Sequence, residues 1–93
     1  MYNYVLTLDA EEDMIRIYEY GFGQFGLIHA DSYYDMLFDC FEKIAANPYL
    51  FPTADYIKKG YRYCVCGVDT IYYKISNDAI VEIFTIIGRQ DFR

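Results

Sequence analysis

"YRYCVCGVDTIYYK", residues 61–74, carries two cysteines one residue apart between tyrosines at 61, 63, 72 and 73. Apolar and polar side chains alternate here with a period of 2, the mark of a half-buried strand. Arg62 to Cys66 therefore reads as one strand and Thr70 to Ser76 as a second, with Gly67 breaking the pair. Ile80 to Ile87 repeats the pattern as a third strand, and Asn77-Asp78 marks a tight turn before it. Connections this short make neighbouring strands antiparallel. Cys64 and Cys66 then point to one face and Val65 to the other. Side chains two apart on a strand sit roughly 7 Å apart, too far for an unstrained disulfide. A metal would need more ligands than Cys40, the remaining thiol, supplies. The economical expectation is that both cysteines are core residues, covered by whatever packs on this face, and no metal, cofactor or redox role is assigned to them.

What packs there lies upstream, where the period is 3.6. Tyr2 to Leu8 is uncharged and rich in strand formers, so it reads as a short first strand. Asp9 with Glu12 three residues on fits a variant capping box, and Glu11, Glu12 and Asp13 suit the positive end of a helix. Ala10, Met14, Ile17, Tyr18, Gly21 and Phe25 form its apolar stripe, and Gly26 is its stop. A second helix runs from Leu27 to Asn47, with Ala30, Tyr33, Tyr34, Leu37, Phe41, Ile44 and Ala45 inward. Asp31, Asp35, Asp39, Glu42 and Lys43 face outward, and Asn47-Pro48 ends the helix. The short break at Gly26 makes the two helices an antiparallel hairpin. The expected fold is α+β, one unit over residues 1–93. It consists of an N-terminal strand, a helical hairpin and a three-stranded antiparallel meander, the helices packed on one face of the sheet.

Composition bounds the function. With 55% hydrophobic residues and 19 aromatics among 93, the chain can build a core without staples. Its three cysteines, an odd number, argue against a disulfide scaffold. No apolar run reaches the ~18–20 residues of a membrane span, and the N-terminus does not read as a secretory signal. The expectation is a cytoplasmic protein. Residues 9–47 hold nine acidic against two basic side chains, while residues 48–93 hold five acidic against six basic. The first half repels a phosphate backbone and the second attracts one weakly, so direct, high-affinity nucleic-acid binding is disfavoured. The second half suits an acidic protein segment better.

The order and spacing of these residues resemble the ParE toxins of the RelE/ParE superfamily. Tyr4-Val5-Leu6-Thr7 looks like that family's opening strand, and Ala10, Asp13-Met14, Ile17-Tyr18 and Tyr20 like its first helix. Phe25-Gly26 stands where the family often has Trp-Gly, with Ala30 and Tyr33 following. Leu37, Phe41, Ala45 and Asn47-Pro48 resemble the second helix and its stop. Ile57 with Gly60-Tyr61-Arg62, then Gly67 through Ile71-Tyr72-Tyr73, and Ile83 through Ile87, are similar to its sheet. Two places depart from the pattern. Asp69 stands where the family frequently has histidine, and Thr85-Ile86-Ile87-Gly88 stands for its Arg-Ile-Leu-His.

The resemblance implies a protein without catalytic residues that binds and poisons DNA gyrase. A ParD-like antitoxin would neutralise it, laying a flexible acidic-amphipathic tail against hairpin and sheet. The candidate partner-binding residues are Arg62, Tyr63 and Tyr72 on the sheet, and Arg89, Gln90, Asp91 and Arg93 after it. Tyr61 and Tyr73 are further candidates for an exposed aromatic surface, since aromatic residues and arginine favour interfaces. The superfamily also contains ribosome-dependent mRNA interferases of the RelE type, and here such a site would have to come from Arg62, Tyr72 and Arg89. RNA cleavage needs a base, an acid and clustered cations. The lone His29 sits early in the second helix, far in sequence from the sheet, and reads as a surface or capping residue. A remnant that retains antitoxin binding alone is the third alternative. Gly21, Gly23 and Gly26 spell Gly-x-Gly-x-x-Gly, but they end a helix instead of following a strand, so they do not read as a phosphate loop.

Overall fold

The computed structural model describes residues 2–76 and 78–88. In chain order the elements are β1 (Asn3–Leu6), α1 (Leu8–Phe25), α2 (Leu27–Ala46), β2 (Arg62–Cys66), β3 (Asp69–Ile75) and β4 (Ile80–Gly88). The expected α+β architecture is present, and β2, β3 and β4 form the antiparallel meander. The expected turn at Asn77-Asp78 falls partly on Asn77, outside the described residues. The first strand joins the same sheet, pairing in parallel with β4, so the order is β1-β4-β3-β2. The sheet is thus mixed and four-stranded, with the last strand in its interior.

Helix α1 begins two residues earlier than Asp9 suggests. Thr7 is its N-cap: its Oγ1 accepts from the Ala10 amide at 3.2 Å and donates to the Phe84 carbonyl of β4 at 2.9 Å. Asp9 and Glu11 then lie in the first turn, where the helix dipole favours them. Gly26, at φ +90°, closes α1 and opens α2, a conformation that any side chain would strain.

Both helices cover one face of the sheet. Ala10, Met14 and Ile17 of α1 and Leu37, Cys40, Phe41 and Ile44 of α2 meet Cys64, Cys66, Ile71, Tyr73, Val81, Ile83 and Ile86 in one core. Phe25, expected on the buried stripe, is exposed at the hairpin tip with Phe22, Leu27 and Ile28. The buried residues of α1 end at Ile17. Tyr73, a candidate for the exposed aromatic surface, is fully buried, and its hydroxyl donates to the Pro48 carbonyl at 2.5 Å. Alternation explains this: Tyr73 shares the inner face with Ile71, and Tyr72 takes the outer one.

The cysteines are in the core as expected, with one addition. Cys66 is disulfide-bonded to Cys40 of α2, their Cα atoms 6.6 Å apart, while Cys64 keeps a buried thiol. An odd count and a Cys-x-Cys spacing did not foresee this tie, because the partner comes from a helix 26 residues away.

Candidate partner-binding surface

Among the described residues, no helix covers the outer face of the sheet. Tyr63 and Tyr72, adjacent across β2 and β3, lie there with ring centroids 6.3 Å apart. Val65 and Thr70 form the next pair toward the turn. On the other side a register shift at Tyr72/Tyr73 marks a bulge between β3 and β4. The Phe84 ring stacks on Tyr61 at 4.9 Å, with the Lys74 ammonium 5.5 Å from its centroid. Lys58 sits 5.8 Å from the Tyr61 ring. Each lysine is drawn to the negative face of a π-system while its charge stays toward water. Burial, and then the Tyr56 phenol beside it, raises the Tyr72 hydroxyl above its ordinary value, so Tyr72 is a neutral donor at physiological pH.

Two of the expected residues, Tyr63 and Tyr72, are therefore brought together. Arg62 is placed differently: its guanidinium donates to the Phe51 carbonyl at 2.7 Å and the Tyr49 carbonyl at 3.4 Å, and stacks over the Tyr49 ring at 5.2 Å. It braces the 49–61 loop against β2, and Tyr63 N–H to Pro52 C=O continues that brace. Arg89, Gln90, Asp91 and Arg93 lie outside the described residues. Sequence reading missed Tyr56, Lys58, Lys74 and Phe84 as members of this face. The alternation of β3 and β4 would have found Lys74, whereas Phe84 needed knowledge of the bulge, and Tyr56 and Lys58 sit on a loop without a period.

On the opposite side, a cavity of about 640 Å³ opens between the helical hairpin and the β2–β3 turn. Tyr18, Phe25, Tyr33, Met36, Val68 and Asp69 are among its walls. Asp69, only 1% exposed, accepts from the Tyr33 hydroxyl at 2.5 Å, and that hydroxyl accepts from the Val68 amide at 3.1 Å. Burial, then the hydrogen bond to Asp69, then its charge push the Tyr33 phenol far up. His29 is exposed beside Phe25, with centroids 4.5 Å apart. Among the described residues, no group of three or more His, Cys, Asp or Glu is placed to hold a metal ion.

A helical hairpin on one face of a mixed four-stranded sheet, with aromatic rings and lysines on the other face, defines a small α+β domain. The comparisons narrow that class. A family model described as ParE toxin of type II toxin-antitoxin system, parDE, matches residues 4–91, and the chain belongs to that family. Toxin ParE1 of Mycobacterium tuberculosis, in strain CDC 1551 / Oshkosh and in strain ATCC 25618 / H37Rv, is 24% identical over 87 residues. That match spans 94% of this chain and 89% of each relative. A solved structure of the chromosomal ParDE TA system from P. aeruginosa superposes with a TM-score of 0.83 at 13% identity, over 95% of this chain and 96% of that one, a likeness of fold. Among the described residues, no helix is long and apolar enough to cross a membrane.

Proposed function

We propose that this ParE-family toxin acts by binding, inhibiting DNA gyrase without catalysis, and that a ParD-like antitoxin neutralises it by occupying the outer sheet face. The observation that carries the reading is the uncovered cluster of Tyr61, Tyr63, Tyr72 and Phe84 with Lys58 and Lys74. Rigid rings supply contact area at low entropic cost, and the lysines favour an acidic partner segment. Arg62, Tyr63 and Tyr72, together with Arg89, Gln90, Asp91 and Arg93, are the proposed partner contacts, Arg62 by holding the flanking loop.

Purified protein is expected to reduce gyrase supercoiling or to trap cleaved DNA, and added antitoxin to reverse it. Gyrase that works normally at micromolar protein defeats the inhibitor reading. Combined Tyr63→Ala and Tyr72→Ala substitutions are expected to weaken antitoxin binding a hundredfold or more while the circular dichroism spectrum is retained. Unchanged affinity would remove this face from the interface.

A further inference from the structure

We propose that Cys40 and Cys66 form a reversible thiol–disulfide switch that sets the shape of the cavity wall, its chemical partner being a small thiol of the glutathione class. Neither the gyrase reading nor the antitoxin reading is needed for this.

Tyr33, Met36 and Cys40 follow one another at helical spacing on the side of α2 that meets the end of β2. Each grips the segment Cys66 to Asp69 in its own way. Tyr33 holds Val68 and Asp69 through its hydroxyl. Met36 and Tyr33 crowd Gly67, where an added Cβ would come within 2.8 Å of the Met36 Cε and 2.7 Å of the Tyr33 Oη. Cys40 holds Cys66 covalently. Tyr33, Met36, Gly67, Val68 and Asp69 also line the cavity. The disulfide is therefore one of three ties between α2 and the turn that walls the cavity, and it is the one that chemistry can open.

The reduction balances simply. A thiolate RS⁻ attacks the Cys40 sulfur, the S–S bond breaks, and Cys66 leaves as a thiolate that takes a proton from water. A second RS⁻ attacks the external sulfur of the mixed disulfide, releasing Cys40, which is protonated in turn, and RSSR. Two electrons and two protons pass from two RSH to the pair. Cys40 is the less covered residue of the two, 9% exposed against 3% for Cys66, and the attack is proposed there. The opened state has a place for the new proton: the Cys66 sulfur lies 3.7 Å from the Met36 carbonyl, an acceptor for its S–H. The two sulfurs must then separate from a bond of about 2 Å to a contact of about 3.5–4 Å. In a close-packed core that displacement is passed to α2 and the turn.

The test equilibrates the full chain in glutathione buffers from strongly oxidising to strongly reducing ratios. Thiols are then counted by alkylation under denaturing conditions and mass spectrometry. The expected result is a passage from one alkylated cysteine to three within the ratios that cells hold, and the same passage, from none to two, in Cys64→Ala. A pair that stays closed at the most reducing of those ratios, or open at the most oxidising, overturns the proposal. Hydrogen exchange reads the structural consequence. Reduction is expected to speed exchange at the Cys66 and Val68 amides at least tenfold while Ile83 stays protected. Cys40→Ala is expected to show the fast exchange at every ratio. Equal exchange in both redox states overturns the coupling to the turn, whichever way the titration falls.

Discussion

Asp69 is a carboxylate held almost wholly out of water, and the Tyr33 hydroxyl is one of the partners that make this tolerable. Tyr33→Phe would withdraw a hydrogen-bond partner from a buried carboxyl group, so it is expected to cost about 1–3 kcal/mol in urea unfolding. Tyr18→Phe serves as the control. It removes a bond of 2.6 Å to Asp31 at an exposed site and should shift stability by no more than about 0.5 kcal/mol. Similar costs for both would show that burial is not what makes Tyr33 matter. The half-buried phenol of Tyr33 and the buried one of Tyr73 also set a pH dependence. Burial raises both in the folded chain, so the native state keeps protons that the unfolded state releases above about pH 10. Stability is therefore fully present below about pH 10 and falls as pH rises beyond it. Urea midpoints on either side of that pH check the sign, and a flat profile there would contradict it. Tyr33→Phe should make the fall shallower. In the sequence, Asp69 stood out only as a departure from a family pattern. Its burial depends on a helix 36 residues upstream, and no local spacing encodes such a meeting.

Helix α1 is fastened to β4 by polar groups that periodicity does not reveal. Asp13 Oδ2 accepts from the Thr85 hydroxyl at 2.7 Å and the Ile86 amide at 3.0 Å, and Arg16 donates to both Asp13 and the Ile86 carbonyl. Asp13→Ala is expected to cost about 1.5–3 kcal/mol, the range for hydrogen bonds to a charged group. A loss no larger than a surface substitution gives would show that this fastening is dispensable. Thr7→Ala removes the α1 cap and the bond to Phe84, and about 1–2 kcal/mol is expected from the cap. Thermal unfolding measures both. The elements themselves were legible because each has an unbroken period: 3.6 from Ala10 to Ile17 and from Ala30 to Ala45, 2 from Arg62 to Cys66. The cap was misplaced because Thr7 reads as the end of a strand until β4 is laid beside it. The outer-face pair Tyr63 and Tyr72 was legible through alternation, while Lys58 and Phe84 near it come from a loop and a bulge.

At the scale of the molecule, charge is divided as the fold is. The helical hairpin contains most of the acidic residues, and the sheet half is close to neutral with lysines on its open face. An acidic segment would be steered to one face and repelled by the other, which fixes orientation before contact. Lys58→Glu with Lys74→Glu is expected to slow antitoxin association tenfold or more at low salt and to leave dissociation little changed. Stopped-flow binding at two ionic strengths tests this, and an equal effect in high salt would show the lysines acting by contact instead. The position of β4 has a consequence of another kind. It lies between β1 and β3, yet among the described strands it comes last in the sequence. Without this strand, β1 has no neighbour, and Thr7 and Asp13 have no carbonyl or amide to hold. No stretch that stops short of residue 80 can therefore pair β1 or complete the α1 cap, so the fold closes by joining its two far ends.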